Sequence, residues 1–219
     1  MIVDLGRIAY KDAYKIQKQC LARRISQEID DCLLVAEHEP VYTIGRSADR
    51  SRALTIAGRL IRSGYDVHFT DRGGDITYHG PGQLVAYMVS DLKNRGMDLH
   101  KHLRDLEEAV IVFLKQYYVI GKRIEGRSGV WVNDMKISSV GIGSSHWVTY
   151  HGISINIKSK IDNFSIIEPC GLKDIVMTSL ESLIRTEVPI DEAKVNMINS
   201  FSDIFFTEAR YAKRALQAS

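Results

Sequence analysis

The sequence lacks several features that would place the protein in a specialised class. Its three cysteines, Cys20, Cys32 and Cys170, are an odd and sparse set, which argues against a disulfide framework and for reduced thiols. No run of eighteen or more apolar residues occurs, so the sequence predicts no transmembrane helix. The first residues show no basic stretch followed by an apolar one, and we therefore expect a cytoplasmic protein.

A strong charge of either sign is also missing. The formal net charge is +2 over 219 residues, which predicts neither nucleic acid nor a membrane as a partner. Hydrophobic residues make up 45% and charged residues 26% of the chain, as in ordinary soluble globular proteins. The sequence shows no internal repeat and no obvious linker, so we expect residues 1–219 to form a single domain.

Apolar spacing predicts where helices and strands lie. Helical periodicity is found in four stretches: 11–25, 99–118, 178–184 and 191–205. Runs typical of strands occur at 31–38, 40–46, 66–70, 83–92, 129–132, 136–143 and 147–157. The polar stretch 48–59 is expected to be a loop or a short helix, and Asn133-Asp134 a turn. Because the strands cluster instead of alternating with helices, the pattern predicts an α+β domain with a mixed or antiparallel sheet and packed helices.

Four glycines interrupt strand-like sequence in RGGDITYHGPGQ, residues 72–83. Glycine within a strand usually marks a bulge or a ligand that approaches the backbone closely. Gly73-Gly74 and Gly80-Pro81-Gly82 flank a short strand, so two tight turns and a substrate lying against exposed backbone explain them about equally well. Arg72 and His79 at the edges favour a site slightly. The glycine spacing matches neither a P-loop nor a dinucleotide-binding motif.

Cys170 and Lys136 are candidates for chemistry. Cys170 lies between Pro169 and Gly171, which predicts a sharp turn that can present a thiol to a cleft. A buried, inert thiol is the commoner alternative. Lys136, just after a predicted turn, would by itself be a solvated surface charge. If the fold brings its ammonium to about 4 Å from the Cys170 sulfur, the thiolate gains up to about 4 kcal/mol at an effective dielectric constant of about 20.

Two histidines, His146 and His151, raise the question of zinc. Together with the cysteines, they fit no standard spacing of a zinc finger or a metalloprotease, so we expect no metal. His151 stands in a Tyr-His-Gly triplet that repeats Tyr78-His79-Gly80. The repeat leaves open either a shared site or two structural histidines.

Five segments together resemble the lipoyl(octanoyl) transferase family, the octanoyltransferases of lipoate biosynthesis. They are AEHEPVYTIGR (36–46), RGGDITYHGPGQLVAY (72–87), GVWVNDMKISSVGIG (129–143), WVTYHGISINI (147–157) and EPCGLKDIVMTSL (168–180). They occur in the family's order and reach over most of the chain. At Asp75 the family usually has glutamine, which puts one polar contact of the first loop in doubt.

The resemblance implies the α+β fold of biotin and lipoate protein ligases and an acyltransferase activity without cofactor. It implies transfer of octanoyl from octanoyl-acyl carrier protein to a lysine of lipoyl domains, in 2-oxoacid dehydrogenases or in the glycine cleavage H protein. The family's acyl-accepting cysteine corresponds to Cys170 and its lysine partner to Lys136. Its substrate-binding residues correspond to Arg72, Gly73, Gly74, Asp75, Ile76, Thr77, Tyr78, His79, Ser139, Val140, Gly141, Gly152, Ile153 and Ser154.

An acyl chain then explains the glycines, since they would let the chain and its thioester pass close to the backbone. The side chains expected to wall this apolar slot are Ile76, Tyr78, Val140 and Ile142. A valine in place of Gly74 or Gly141 is expected to block acylation in a protein that still folds. Backbone N–H groups near the glycines would stabilise the tetrahedral oxyanion.

Three alternatives remain: an ATP-dependent lipoate or biotin ligase on the same fold, an amidotransferase that moves octanoyl between lipoyl domains, and a module that only binds the acylated carrier. The Pro-Cys-Gly turn and the Tyr-His-Gly-Pro-Gly-Gln stretch favour the transferase over the ligase. Basic patches at Arg46-Arg50-Arg52 and Lys93-Arg95 are candidate surfaces for docking the carrier, or simply solvated faces.

Overall fold

The computed structural model describes residues 1–167 and 175–206. Within these residues the strands are β1 (Ile2–Ile8), β2 (Cys32–His38), β3 (Val41–Ile44), β4 (Asp66–Phe69), β5 (Ile76–His79), β6 (Gln83–Val89), β7 (Lys122–Ile124), β8 (Arg127–Val132), β9 (Met135–Ser145) and β10 (Val148–Asn156). The α-helices are α1 (Tyr10–Ile25), α2 (Arg50–Arg62), α3 (Leu99–Lys115), α4 (Leu180–Ile184) and α5 (Ile190–Phe205). Short 3-10 turns cover Leu92–Arg95 and Ile161–Phe164.

Two sheets organise the chain. Seven strands form a mixed sheet in the order β1-β2-β6-β10-β9-β8-β7, in which β1 and β2 are parallel and the other neighbours antiparallel. Three strands form a smaller sheet in the order β4-β3-β5, with β3 parallel to β4 and antiparallel to β5. The predicted α+β architecture with a mixed sheet and packed helices is confirmed.

The large sheet buries both of its faces. Because successive side chains of a strand point to opposite faces, β6 supplies Leu84 and Met88 to one core and Val85 and Tyr87 to the other. Helices α3 and α5 cover the first face, and α1 covers the second. Strands buried on both faces are nearly continuous apolar runs, which is why β2 and β6 were recognisable in the sequence.

Helix α2 covers the small sheet. Ala53, Ala57 and Leu60 recur at helical spacing and pack in a third core with side chains of β3 and β5. The stretch 48–59, expected to be a loop or a short helix, therefore contains most of a 13-residue helix. The apolar stripe of α2 is narrow and surrounded by polar residues, so the sequence indicates the helix only weakly. The helix is stable because this stripe packs against the small sheet.

The hairpin turns follow from local chemistry. Asn133 and Asp134 have positive φ angles of 48° and 64°, the conformation that a two-residue turn needs to match the twist of β8 and β9. The predicted turn is thus confirmed. His146 and Trp147, with φ of 52° and 63°, connect β9 to β10 in the same way.

Candidate active site

A cavity of about 480 Å³ is lined by β5 of the small sheet and by β6, β9 and β10 of the large sheet. Its volume is in the range usual for small-molecule sites, about 300 to 1,000 Å³. The fold brings most of the sequence-predicted residues to its wall: Arg72, Gly74, Asp75, Ile76, Thr77, His79, Lys136, Ser139, Val140, Gly141, Gly152, Ile153 and Ser154. Three segments that are distant in sequence, 72–79, 136–141 and 152–154, therefore form one site.

Gly73 and Tyr78 lie outside the cavity wall that the described residues form. Tyr78 alternates with Thr77 and His79 along β5, so its ring points to the core beneath α2, at 5.1 Å from the ring of Tyr42. Ile142 also lies outside this wall and packs against the core beneath α3 and α5. Of the four residues expected to wall an acyl slot, Ile76 and Val140 thus line the cavity.

Lys136 is almost completely buried, with 2% of its surface exposed, and it lines the cavity. Its backbone N–H donates to the carbonyl of Val176 at 2.8 Å, and its carbonyl accepts from the N–H of Thr178 at 2.9 Å. Its Nζ stands 5.4 Å from the ring centroid of Trp131. Gly129 leaves room for its stem, because a Cβ there would lie 2.8 Å from Lys136 Cε. A solvated position, expected for an isolated lysine beside a turn, is therefore wrong for Lys136.

Cys170 lies outside the described residues, and so do Pro169 and Gly171. The turn predicted there and the pairing of Cys170 with Lys136 stay predictions. Ile175, five residues after Cys170 in the sequence, lines the cavity. Cys20 and Cys32 are buried in the core beneath α1, as expected of core fillers. Burial and the neighbouring Cys20 thiol raise the pKa of Cys32 to about 12, so that it is a protonated thiol at neutral pH.

The glycine-rich loop is packed against its own protein. A Cβ on Gly141 would lie 2.7 Å from the carbonyl oxygen of Gly73, and one on Gly45 would lie 2.3 Å from that of Gly74. Gly74 has a φ of +83°, which strains other residues. Arg72 donates to the carbonyls of Gly73 at 2.9 Å and of Asp75 at 2.7 Å. Gly45 and Gly141 therefore make room for neighbouring backbone. Because Gly74 and Gly141 also line the cavity, the expectation that glycines here admit an acyl chain stays a prediction.

His79 and His151 both line the cavity, which is one of the two alternatives that the repeated Tyr-His-Gly triplets left open. Burial, followed by the charge of nearby His38, lowers the pKa of His79 to about 3, so His79 is neutral at physiological pH. His151 directs Nε2 at Asp71 Oδ1, 2.7 Å away. This hydrogen bond is the largest cause that holds the pKa of Asp71 well below its usual range. Burial is the largest cause that lowers the pKa of His151. The pair is therefore a neutral imidazole that donates to a carboxylate.

His151 is also held in a strained backbone conformation. Its φ is 61°, inside a strand and for a residue other than glycine. Its N–H donates to Gln17 Oε1 at 3.1 Å, and its ring stacks on Tyr14 at 5.6 Å. Such strain persists where the surroundings determine the conformation fully, and it is frequent at functional sites.

Several cavity residues were not predicted to belong to the site; among them, Arg52 was expected only in a docking patch. Arg52 of α2 forms an ion pair with Asp75, so the residue at which the sequence departs from the family pattern has a charged partner in this chain. The other wall residues that sequence reasoning missed include Tyr10, Ser47, Asp49, Arg127 and Ser128. They come from segments without a recognisable motif, and only the fold places them together.

The candidate docking patches differ in their surroundings. Arg46 and Arg50 line a second groove with the exposed apolar side chains Leu54 and Phe69. Arg52 belongs to the cavity instead. Arg95 is bonded internally, donating to the carbonyl of Phe205 at 2.7 Å.

Residues 1–167 and 175–206 contain no cluster of three or more His, Cys, Asp or Glu side chains suited to a metal ion. His146 lies in the β9–β10 turn, whereas His151 lies in the cavity wall. Among the same residues, no helix has the length and apolar character needed to cross a membrane.

Solved structures share this fold at low sequence identity. The bipartite lipoate protein ligase of Thermoplasma acidophilum superposes with a TM-score of 0.71 at 16% identity, over 93% of this chain and 82% of its own. Biotin protein ligase from Aquifex aeolicus superposes with a TM-score of 0.55 at 15% identity, over 92% and 68%. The fold is therefore that of the lipoate and biotin protein ligases, as the resemblance implied.

Sequence comparison then gives the family. The model of the lipoyl protein ligase A/B catalytic domain matches residues 9–202. An octanoyltransferase of Rubrobacter xylanophilus is 41% identical over 201 residues, 91% of this chain and 90% of its own. One of Geotalea uraniireducens is 40% identical over 196 residues, 90% of this chain and 88% of its own. The chain belongs to the lipoyl protein ligase A/B catalytic-domain family, and the predicted acyltransferase class is confirmed.

Proposed function

We propose that this acyltransferase carries an octanoyl group from octanoyl-acyl carrier protein to a lysine of a lipoyl domain, through a thioester on Cys170. The acceptors would be the lipoyl domains of 2-oxoacid dehydrogenases and the glycine cleavage H protein. The observation that carries the proposal is Lys136, a buried lysine on the cavity wall whose backbone binds Val176 and Thr178, shortly after Cys170 in the sequence. The octanoyltransferase relatives support the choice of acyl group.

In the first step the Cys170 thiolate attacks the carbonyl carbon of the octanoyl thioester. The bond to Cys170 sulfur forms, the bond to the carrier's sulfur breaks, and the departing thiolate takes a proton from the Lys136 ammonium. One thioester replaces another, so the step needs no ATP. Reduced thiols suit a cytoplasmic site.

In the second step the acceptor's lysine amine attacks the Cys170 thioester. A free lysine has a pKa of about 10.4, so the acceptor starts as an ammonium. The acceptor ammonium releases one proton to solvent and attacks as the amine. Neutral Lys136, left by the first step, takes the second proton from that nitrogen as the amide forms and the Cys170 thiolate leaves. The dyad of thiolate and ammonium is thereby restored, and the favourable formation of an amide from a thioester makes the cycle one-way.

The test is intact-protein mass spectrometry after acid quench of the protein mixed with octanoyl-acyl carrier protein, without ATP. We expect the mass of one octanoyl group on the wild type and on Cys20→Ala, which changes a buried core thiol, but not on Cys170→Ala. Added lipoyl domain should remove the adduct. An adduct on Cys170→Ala would overturn the assignment of the acyl carrier.

Lysine variants test the second residue. Lys136→Met should slow acylation by about 10² to 10⁴-fold, the usual contribution of a general acid–base. Lys122→Met is the matched control, because Lys122 is an exposed lysine of the neighbouring β7 that pairs with Asp134. Product that forms only with ATP and free octanoate would establish the ligase alternative. Product formed with an octanoylated lipoyl domain as the sole donor would establish the amidotransferase. Binding of the carrier without any transfer would establish the binding module.

A further inference from the structure

Buried polar side chains join the glycine-rich loop to the backbone of Lys136. His79 Nδ1 lies 2.6 Å from Gln83 Oε1, Gln83 Nε2 donates to Asn156 Oδ1 at 2.9 Å, and Asn156 Nδ2 donates to the Thr178 carbonyl at 3.0 Å. The N–H of Thr178 donates to the carbonyl of Lys136 at 2.9 Å. All of these residues are buried, with at most 7% of their surface exposed. We call His79, Gln83, Asn156 and Thr178 the polar chain.

Two carbonyl groups determine the direction of every bond in the polar chain. A carbonyl only accepts, so the Asn156 atom that faces the Thr178 carbonyl must be the amide nitrogen. The Gln83 nitrogen likewise donates to the carbonyl of Tyr78 at 3.2 Å. Gln83 therefore presents oxygen to His79, and Nδ1 of the neutral His79 ring must carry the proton.

The other ring nitrogen of His79 continues the polar chain towards the loop. Nε2 is then an acceptor, and the hydroxyl group of Thr43 lies 3.5 Å from it. Thr43 Oγ1 accepts from Nε of Arg72 at 3.2 Å and from its Nη2 at 3.0 Å, so the hydroxyl proton is free to point at His79. Arg72 in turn holds the carbonyls of the glycine-rich loop. From the Arg72 guanidinium to the Thr178 carbonyl, each group thus donates to the next.

We infer that Gln83 and Asn156 are positioning residues for acyl transfer, which set Lys136 and residues 175–178 against the glycine-rich loop. The inference rests on the proposed function, because it assigns the chemistry to Lys136 and Cys170. A buried chain in which each amide group has its partner admits one arrangement, since any slip leaves a polar group without a partner. Neither residue lines the cavity, so both act through the residues that they hold.

The test uses Gln83→Met and Asn156→Leu, which keep side-chain length or shape and remove the amide. We expect kcat for acylation to fall about 30 to 100-fold, as for a catalytic group misplaced by about 1 Å, while KM for the octanoyl donor changes less than about 3-fold. The double variant should lose little more than the worse single variant, because both belong to the same chain of hydrogen bonds.

Thr149→Val is the matched control. Thr149 lies on the same strand as Asn156, is fully buried, and its hydroxyl group donates to the carbonyl of Met88 at 3.2 Å. The Thr149→Val variant should have a lower melting temperature than the wild type and a kcat within about 3-fold of the wild-type value. If Asn156→Leu does not fold, Asn156→Ser replaces it, since the shorter side chain leaves space for water.

Two results would overturn the inference: folded polar-chain variants with a wild-type kcat, or a loss of kcat that Thr149→Val reproduces. Multiplicative losses in the double variant would also contradict it, because they indicate two independent effects. A wild-type protein that forms no octanoyl adduct would instead refute the proposed function, so the two failures are distinguishable.

Discussion

Two histidines each face an aspartate at nearly the same distance, but in different surroundings. His151 lies 2.7 Å from Asp71 with 2% of its side chain exposed, whereas His68 lies 2.8 Å from Asp66 with 26% exposed. Asp71 also accepts from the hydroxyl group of Tyr150 at 2.5 Å. Removing an acceptor costs most stability where water cannot replace it. The His151–Asp71 pair should therefore contribute more to stability than the His68–Asp66 pair, although the two distances are nearly equal.

Alanine at each aspartate measures this difference. Asp71→Ala should lower the free energy of unfolding by about 2 kcal/mol, because it leaves two buried groups, the His151 ring and the Tyr150 hydroxyl, without their charged acceptor. Asp66→Ala should cost less than about 1 kcal/mol, the range of an exposed pair. Urea titration at neutral pH decides, and equal losses in the two variants would contradict the prediction.

At the scale of elements, the glycines of β9 and β10 determine how closely neighbouring backbone packs. Gly141 and Gly152 are paired across the two strands. A Cβ on Gly152 would lie 2.0 Å from the carbonyl oxygen of Ala86 on β6, and a Cβ on Gly141 would lie 2.7 Å from the carbonyl oxygen of Gly73. Gly141 and Gly152 therefore serve strand packing and the placement of the loop, whether or not they also contact a ligand.

Substitution of Gly141 distinguishes these roles. Gly141→Ala and, more strongly, Gly141→Val should destabilise the protein by about 1 to 3 kcal/mol, the cost of overpacking. Gly73→Ala is the control, because its Cβ would be 3.5 Å from the nearest atom, an ordinary contact. Thermal unfolding measures the effect. A Gly141→Val protein with wild-type stability and no acylation would contradict the packing role and support the acyl-slot interpretation.

At the scale of the whole molecule, the interior holds four neutral histidines. Burial is the first cause that lowers the pKa of His38, His79, His102 and His151, with His79 at about 3 and His102 at about 4. In the unfolded chain a histidine has a pKa of about 6.5. Below that pH the unfolded state binds more protons than the native state, so acid favours unfolding.

Stability should therefore decrease as the pH falls from about 7 to about 5. Each of these histidines lowers the stability by up to about 1.4 kcal/mol per pH unit as the pH falls from its unfolded pKa of about 6.5 towards its folded pKa. Above about pH 6.5 it causes no loss. Urea unfolding at several pH values measures the slope. His102→Leu should flatten it, since one such group is removed from the core beneath α3, and an unchanged slope would contradict the explanation.

The sequence by itself determined the elements and the motifs, because apolar periodicity and turn chemistry are local. Strands β2 and β6, helix α3 and the Asn133-Asp134 turn were predictable for that reason. A single domain over residues 1–219, the absence of a cofactor and the cytoplasmic location stay predictions.

Only the tertiary structure decided which polar groups are buried together. In the sequence Lys136 resembles a surface lysine, but in the fold it is almost completely buried. Asp75 gains an ion pair with Arg52, which lies on a helix that the sequence barely indicates. Gln83 and Asn156 meet across two strands that are 73 residues apart in the chain. Burial and hydrogen-bond direction depend on such distant neighbours, and no local pattern of residues records them.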